Sequence, residues 1–382
     1  MTAPSTTRRS FYPTPAWLIY GLLVVEGLLW LSERYTWFWF NEKKGWTVLV
    51  GVGVVGVVMI VMLLWFVVAL VFRWRFQFSI RSLLVLTVAV ALPFSWLAVE
   101  MKKTREQDAT VDEIGKLGGR VYYEYQCDPS GEPMLDPFGE PLINAQPQVP
   151  IWLQTLLGSD FFREVSRADL CDPNGFDASV TDSDLKCLDN LTQLQSLDLE
   201  ATQVTDAGLE HLKGLTRLRR LSLDRTNITD AGLKHLKGLT QLQELRVAQI
   251  KITDAGLEHL AGLARIRLLD LSDSAVSAEF GGKGEITDAG LAHLTSLSQL
   301  RWLALGLTKI TDAGLERLGR LSHLQDLDLG QTQITDAGLE HLKGLIQLES
   351  LDLNLTRATE AGVQKLQRAL PNCHIHLHHV GF

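Results

Sequence analysis

The sequence predicts an α/β solenoid, with a parallel β-sheet on its concave face and helices on its convex face, preceded by an α-helical transmembrane region. Three observations carry this. A five-residue phrase recurs at a constant interval through the C-terminal half; apolar residues recur around it with strand and helix spacings; and the first hundred residues hold long runs without a charge.

Charge separates the two parts. The chain has 382 residues and a net charge of -8. Residues 1–100 carry eight Lys/Arg and four Asp/Glu, leaving 28 basic and 40 acidic residues for 101–382. An acidic surface repels phosphates, so no nucleic-acid partner is expected. Four cysteines, Cys127, Cys171, Cys187 and Cys373, are too far apart for Cys-x-x-Cys chemistry and too few for a disulfide scaffold.

After an N-terminal tail of residues 1–15, the transmembrane region is expected over 16–100, with spans near 16–31, 46–72 and 83–99. Trp46 to Phe72 runs 27 residues without a charge, more than the roughly 20 a helix needs to cross a bilayer. Leu83 to Val99 is shorter and equally uncharged, whereas Ala16 to Leu31 contains Glu26, which a short span can hold near the headgroups. The basic flank Arg73 to Arg81 resembles that of a signal anchor, favouring export of the C-terminal part of the chain. Gly51-Val-Gly53-Val-Val-Gly56 matches a dinucleotide-binding fingerprint, yet it lies inside the longest uncharged run, with no βαβ unit around it. Thr7-Arg8-Arg9-Ser10-Phe11 has the form of a twin-arginine signal, but Pro13 and Pro15 come next and no cleavage site ends the apolar run.

Residues 101–150 form a linker. Lys102 to Leu117 reads as a polar helix and Arg120 to Tyr125 alternates like a strand; residues 126–150 then hold six of the twelve prolines, which oppose helix and central strand alike. Residues 151–181 are expected to supply an N-terminal cap, with Trp152, Leu153, Leu156, Leu157, Phe161 and Phe162 in it, and a first strand at Val165 to Leu170.

From 182 to 382 the phrase Thr-Asp-Ala-Gly-Leu sets a period of 24, with its Asp at 206, 230, 254, 288, 312 and 336. Degenerate copies stand at Asp182 and Glu360, and one insertion, Ala275 to Glu285, breaks the spacing. Around the phrase runs L-x-x-L-x-L-x-x-T-x-[IV], as in Leu194, Leu197, Leu199, Thr202 and Val204. This is the leucine-rich-repeat pattern. Leu197 and Leu199 alternate and share one strand face; Thr202 is expected to hydrogen-bond a neighbouring turn; Asp206 is expected at a helix N-terminus; Gly214 suits a left-handed helix stop. Ile250 interrupts the threonine ladder. Strands are expected at Leu197, Leu221, Leu245, Leu269, Leu303, Leu327, Leu351 and Ile375, a parallel sheet about 35–45 Å long.

These units resemble the leucine-rich repeats of F-box adaptors and of bacterial membrane-anchored proteins described by their repeats alone, whose fold is a horseshoe. The resemblance implies an integral protein of a bacterial cell membrane. Spans and spacer occupy the place of an F-box, so an F-box-like adaptor role is the least supported.

On the strand face the outward positions are Asp198, Glu200, Arg220, Asp224, Glu244, Arg246, Asp270, Trp302, Asp326, Asp328 and Asp352. Their acidity favours a basic peptide or protein, with Trp302 as an anchor; the alternative is a face that only keeps the domain soluble. His211, His235, His259, His293 and His341 follow the consensus and imply no role, while His374, His376 and His378 alternate on the last strand as weak metal candidates. H-E-x-x-H, G-x-S-x-G and P-loop motifs are missing and the carboxylates recur rather than converge, so neither catalysis nor a cofactor is expected. The reading is a membrane-tethered protein-interaction module; a structural envelope protein is the alternative.

Overall fold

The computed structural model describes residues 80–128, 132–135, 141, 160–171, 180–273 and 286–378, with isolated positions at 53, 56, 60, 151, 154, 155 and 158. Two compact units result: Met1–Arg105 with Pro147–Phe162, and Glu106–Gln146 with Arg163–Phe382. In the first unit, the described residues include a 3-10 turn at Asp160–Phe162, where the rings of Phe161 and Phe162 meet edge to face. Among the described residues no helix is long and apolar enough to cross a membrane. The spans expected at 16–31 and 46–72 and the insertion 275–285 lie outside the described residues, apart from isolated positions 53, 56 and 60. The stretch 83–99 and the polar helix after it form one continuous helix, Ile80–Lys116, whose early side chains are not described.

The second unit is built on a ten-stranded sheet whose strands follow one another in chain order. Its strands are β1 (Arg120–Tyr123), β2 (Val165–Asp169), β3 (Ser196–Asp198), β4 (Arg220–Ser222), β5 (Glu244–Arg246), β6 (Leu268–Asp270), β7 (Trp302–Ala304), β8 (Asp326–Asp328), β9 (Ser350–Asp352) and β10 (His374–His376). β1 runs antiparallel to β2; all later pairs are parallel. In register, Leu197, Leu221, Leu245, Leu269, Leu303, Leu327 and Leu351 stand side by side, all buried, and Ile375 closes the row. Each contributes about 1.5–3 kcal/mol by leaving water. A single coil cannot enclose its own apolar side, so that contribution requires a neighbour.

The recurring phrase sets the spacing of the coils. Contrary to the expectation from sequence, the Asp carboxylate does not cap its own helix. It reaches the threonine of the following coil, Asp206 Oδ1 accepting from Thr229 N at 2.8 Å and Oδ2 from Thr229 Oγ1 at 2.6 Å. The same pair of bonds joins Asp182 to Thr205, Asp230 to Thr253, Asp254 to Thr287, Asp288 to Thr311, Asp312 to Thr335 and Asp336 to Thr359. The N-cap is the threonine: Thr229 Oγ1, while donating to Asp206, accepts from Ala231 N at 3.3 Å. The glycine of the phrase is required by the same geometry. A Cβ on Gly208, Gly232, Gly256, Gly290, Gly314, Gly338 or Gly362 would overlap Oδ1 of the preceding coil's Asp, which its two hydrogen bonds hold in place.

Two other expectations are corrected. Thr202 Oγ1 donates to Leu199 O of its own coil at 2.8 Å, not to a neighbour, and Thr226, Thr308, Thr332 and Thr356 do likewise. They close the turn leaving the strand, where the preceding residue is left-handed: Ala201, Arg225, Gln249, Leu307, Gln331 and Leu355 have φ of 55–62°. That conformation aims the N–H at the next coil, Ala201 N donating to Asp224 O at 2.9 Å. Gly214, by contrast, is not left-handed; Leu215 ends that 3-10 segment, its N–H accepted by Leu212 O.

Of the cap expected within 151–181, Trp152, Leu153, Leu156 and Leu157 lie outside the described residues; Ile151 is 81% exposed, and Phe161 and Phe162 are buried. The open edge of β2 is taken by β1, which supplies the backbone hydrogen bonds an apolar lid could not. Ahead of β1 the end of the long helix covers the first coil: Ile114 is fully buried in the core and Thr110 Oγ1 donates to Cys187 O at 3.2 Å. Gly118, at φ +80°, turns the chain out of the helix.

The overlap yields a double-mutant test. Gly256→Ala should lower stability by about 1–3 kcal/mol, and Asp230→Ala by about as much. In the Asp230→Ala background the Gly256→Ala penalty should shrink, because the overlapping carboxylate is gone; urea midpoints of the four proteins read this directly, and strictly additive effects would refute it.

Candidate functional site

The outward side chains of the sheet form columns, because the register aligns equivalent positions of successive strands. One column runs Arg167, Ser196, Arg220, Glu244, Leu268, Trp302, Asp326, Ser350, His374. The next runs Asp169, Asp198, Ser222, Arg246, Asp270, Ala304, Asp328, Asp352, His376. Glu200 and Asp224 come just past their strands. The candidate residues read from sequence thus share one face, but do not converge on one point.

Most of the carboxylates are engaged in the turns that end the strands. Asp198, Asp270, Asp328 and Asp352 each use Oδ1 to accept the N–H two residues on, from Glu200 at 3.0 Å, Ser272 at 3.0 Å, Gly330 at 2.8 Å and Asn354 at 2.7 Å. Asp224 instead accepts from Ala248 N of the next coil at 2.7 Å. The second oxygen of Asp352 takes Asn354 Nδ2 at 3.1 Å. On the rim Glu200 pairs with Arg225 at 2.7 Å.

Burial and mutual repulsion mark the centre of the face. Burial raises the Asp328 pKa above the usual carboxylate value, Gly330 N opposes the rise, and Asp352 and Asp270 add to it. Asp326 is raised by burial and then by Glu349. Asp224 is pushed up to about 7, first by burial, with Asp270 and Glu200 adding and the Ala248 N–H and Arg246 opposing. Trp302 is half-buried between Leu268 and Asp326 in its column. Further along the face are the small residues Ala304, Gly306 and Gly330; a Cβ on Gly306 or Gly330 would lie 3.1 Å from an Asp328 oxygen.

Three residues at the N-terminal end were not found from sequence. Arg167 pairs with Asp169 at 2.7 Å and with Glu132 at 2.5 Å, and lies over the Tyr122 ring, 6.0 Å from its centroid. Arg220, expected as part of the binding face, pairs with Glu244 at 3.0 Å and with Glu132. Nothing in the periodic pattern could have flagged Arg167, Asp169 or Glu132: β2 precedes the first full repeat and Glu132 lies in the proline-rich linker.

Among the described residues no group of three His, Cys, Asp or Glu side chains is placed to hold a metal ion. His374, His376 and His378 are exposed and alternate as expected, without gathering around one point. All four cysteines are free, and burial foremost pushes each thiol up to about 11, so all stay protonated at neutral pH.

A family model described as Leucine Rich repeat matches residues 320–343, one 24-residue unit of the series. That unit matches the leucine-rich-repeat model, and the other coils repeat its spacing and its Thr-Asp-Ala-Gly-Leu phrase. No curated protein matches. Among solved structures, an internalin from Listeria monocytogenes is 26% identical over 52% of this chain and 51% of its own, with a TM-score of 0.41. An internalin C2 from the same organism is 24% identical over 56% of this chain and 81% of its own, with a TM-score of 0.42. The match therefore spans about half the length of the first internalin.

The raised Asp224 pKa predicts a pH dependence. Its folded pKa of about 7 exceeds the unfolded value near 3.8, so the folded state binds the extra proton, and stability should rise as pH falls from about 7 towards 4. Asp224→Asn, which keeps an acceptor for Ala248 N, should raise stability at pH 8 and flatten that part of the curve. Urea midpoints between pH 5 and 8 check it; an unchanged slope would refute it.

Proposed function

We propose that this chain is a membrane-tethered protein-interaction module whose face over β6–β9 receives a basic segment of a partner protein, without catalysis. The observation that carries the reading is the environment of Trp302. A half-buried indole stands beside Asp326 in its column, and the next column carries Asp270, Ala304, Asp328 and Asp352; Asp326 and Asp328 have raised pKa values. A bound Lys or Arg would relieve the repulsion among these carboxylates, and the ring would supply apolar contact to its stem. Asp270, Asp328 and Asp352 accept hydrogen bonds from their own turns, so little of their side-chain freedom remains to be lost on binding.

Tethering is supported by the uncharged stretch 46–72, long enough to cross a bilayer, and export of the repeats by the basic flank Arg73 to Arg81. A bacterial cell membrane is the proposed location.

A partner should be recoverable by crosslinking from cells expressing the full chain. Trp302→Ala combined with Asp328→Asn, which keeps an acceptor for Gly330 N, should cut its recovery at least ~30-fold, the effect of losing about 2 kcal/mol at a hot spot. Recovery equal to wild type would remove this face from the interaction, and capture of further copies of this chain alone would point to a structural role instead. Protease added to intact cells should digest the repeats; protection that persists until lysis would refute their export.

A further inference from the structure

The N-terminal end of the same face carries a second feature, built around two arginines. Arg167 on β2 and Arg220 on β4 lie in one column with the buried Ser196 of β3 between them. One carboxylate joins them: Glu132 Oε2 meets Arg167 Nη1 at 2.5 Å, and Oε1 meets Arg220 Nη1. Each guanidinium also has a partner within the sheet, Asp169 for Arg167 and Glu244 for Arg220. The two arginine side chains are 16% and 17% exposed, whereas Glu132 is 49% exposed.

The asymmetry distinguishes host from guest. The guanidinium pair is built into the sheet, held by carboxylates of the sheet itself and by the Tyr122 ring. Glu132 comes from outside the sheet, on a short hairpin in which Met134 N donates to Gln126 O at 2.8 Å and Cys127 bridges Pro133. Its backbone bonds are local, Glu132 N to Asp128 Oδ1 at 3.0 Å and Asp128 N to Glu132 O at 2.8 Å. Two guanidinium groups pointing at one carboxylate form a preorganised fork, and charge-assisted pairs of this kind discriminate strongly for carboxylates.

We infer that Arg167 and Arg220 form a carboxylate-recognition site for acidic side chains of an extended partner segment, and that Glu132 is an intramolecular stand-in which the partner displaces. The inference does not rest on the basic partner proposed for Trp302, since the two features lie on different strands and offer different groups, guanidinium here and carboxylate there. An occupied site weakens an external ligand by the fraction of time it is vacant.

The test uses the full chain in detergent and a hexaglutamate peptide with both termini blocked, so that side chains are its only carboxylates. Wild type should bind it weakly. Glu132→Gln should bind it ~10-fold tighter or more, Glu132→Gln with Arg220→Ala should lose that gain, and Glu132→Gln with Trp302→Ala should keep it. Salt should weaken the gained affinity. The inference is overturned if Glu132→Gln binds no tighter than wild type, or if the gain survives Arg220→Ala. Circular dichroism of Glu132→Gln, a change on an exposed side chain, separates loss of binding from loss of fold; binding that depends on Trp302 would move the acidic site elsewhere.

Discussion

The solenoid depends on one directional link, the aspartate of each coil bonded to the amide and hydroxyl of the next coil's threonine. Leucine burial supplies more free energy in total, since every coil adds several fully buried side chains at about 1.5–3 kcal/mol each. That attraction has no direction, and it would tolerate coils sliding past one another. Two charge-assisted hydrogen bonds from one carboxylate, worth about 1.5–3 kcal/mol apiece, admit one register only. Asp254 and Thr287 show that the constraint is spatial: they are 33 residues apart instead of 23, yet make the same two bonds, at 2.8 and 2.6 Å. The insertion therefore leaves the parallel register between β6 and β7 intact.

This link also explains what could and could not be read from sequence. Leucine spacing alone located β3 to β10, because each strand inherits its place from a constant period. The phrase Thr-Asp-Ala-Gly-Leu was visible, but the division of labour within it was not: a helix-start motif normally has one residue capping its own helix, and nothing local signals a carboxylate turned towards the next coil. Only stacking reveals why the fourth position is glycine. The left-handed residues were hidden for a different reason. Ala201, Arg225, Gln249, Leu307, Gln331 and Leu355 include no glycine or asparagine, the residues that usually betray positive φ, and tertiary hydrogen bonds hold them there.

Beyond the repeat the sequence was less informative. Arg120 to Tyr123 alternated visibly, yet its partner, β2, comes more than 40 residues later. Arg167 lies 29 residues before its register partner Ser196, so the period of 24 never reaches it. The face was legible as a set of residue types, and illegible as a set of bonds. Acidity there has two origins: Asp198, Asp270, Asp328 and Asp352 serve the turns through one oxygen, while Glu244 neutralises an arginine.

These two roles bear on recognition. A carboxylate tied by Oδ1 to its turn is aimed, so Oδ2 of Asp328, beside Gly306 and Gly330, is presented in one orientation with no side chain from either glycine in the way. An aimed group loses less entropy on binding than a free surface acid. The face carries arginines on β2, β4 and β5, beside Asp169, Asp198 and Glu244, and aspartates without arginines on β6, β8 and β9. From β4 to β7 is three strand spacings, about 14 Å at ~4.8 Å each, which an extended peptide covers in roughly four residues at ~3.3 Å per residue. A single segment crossing the strands could satisfy both features only with its acidic end at Arg220 and its basic end at Trp302. The spacing of coils that the aspartate–threonine link enforces would then set the length of the sequence being read.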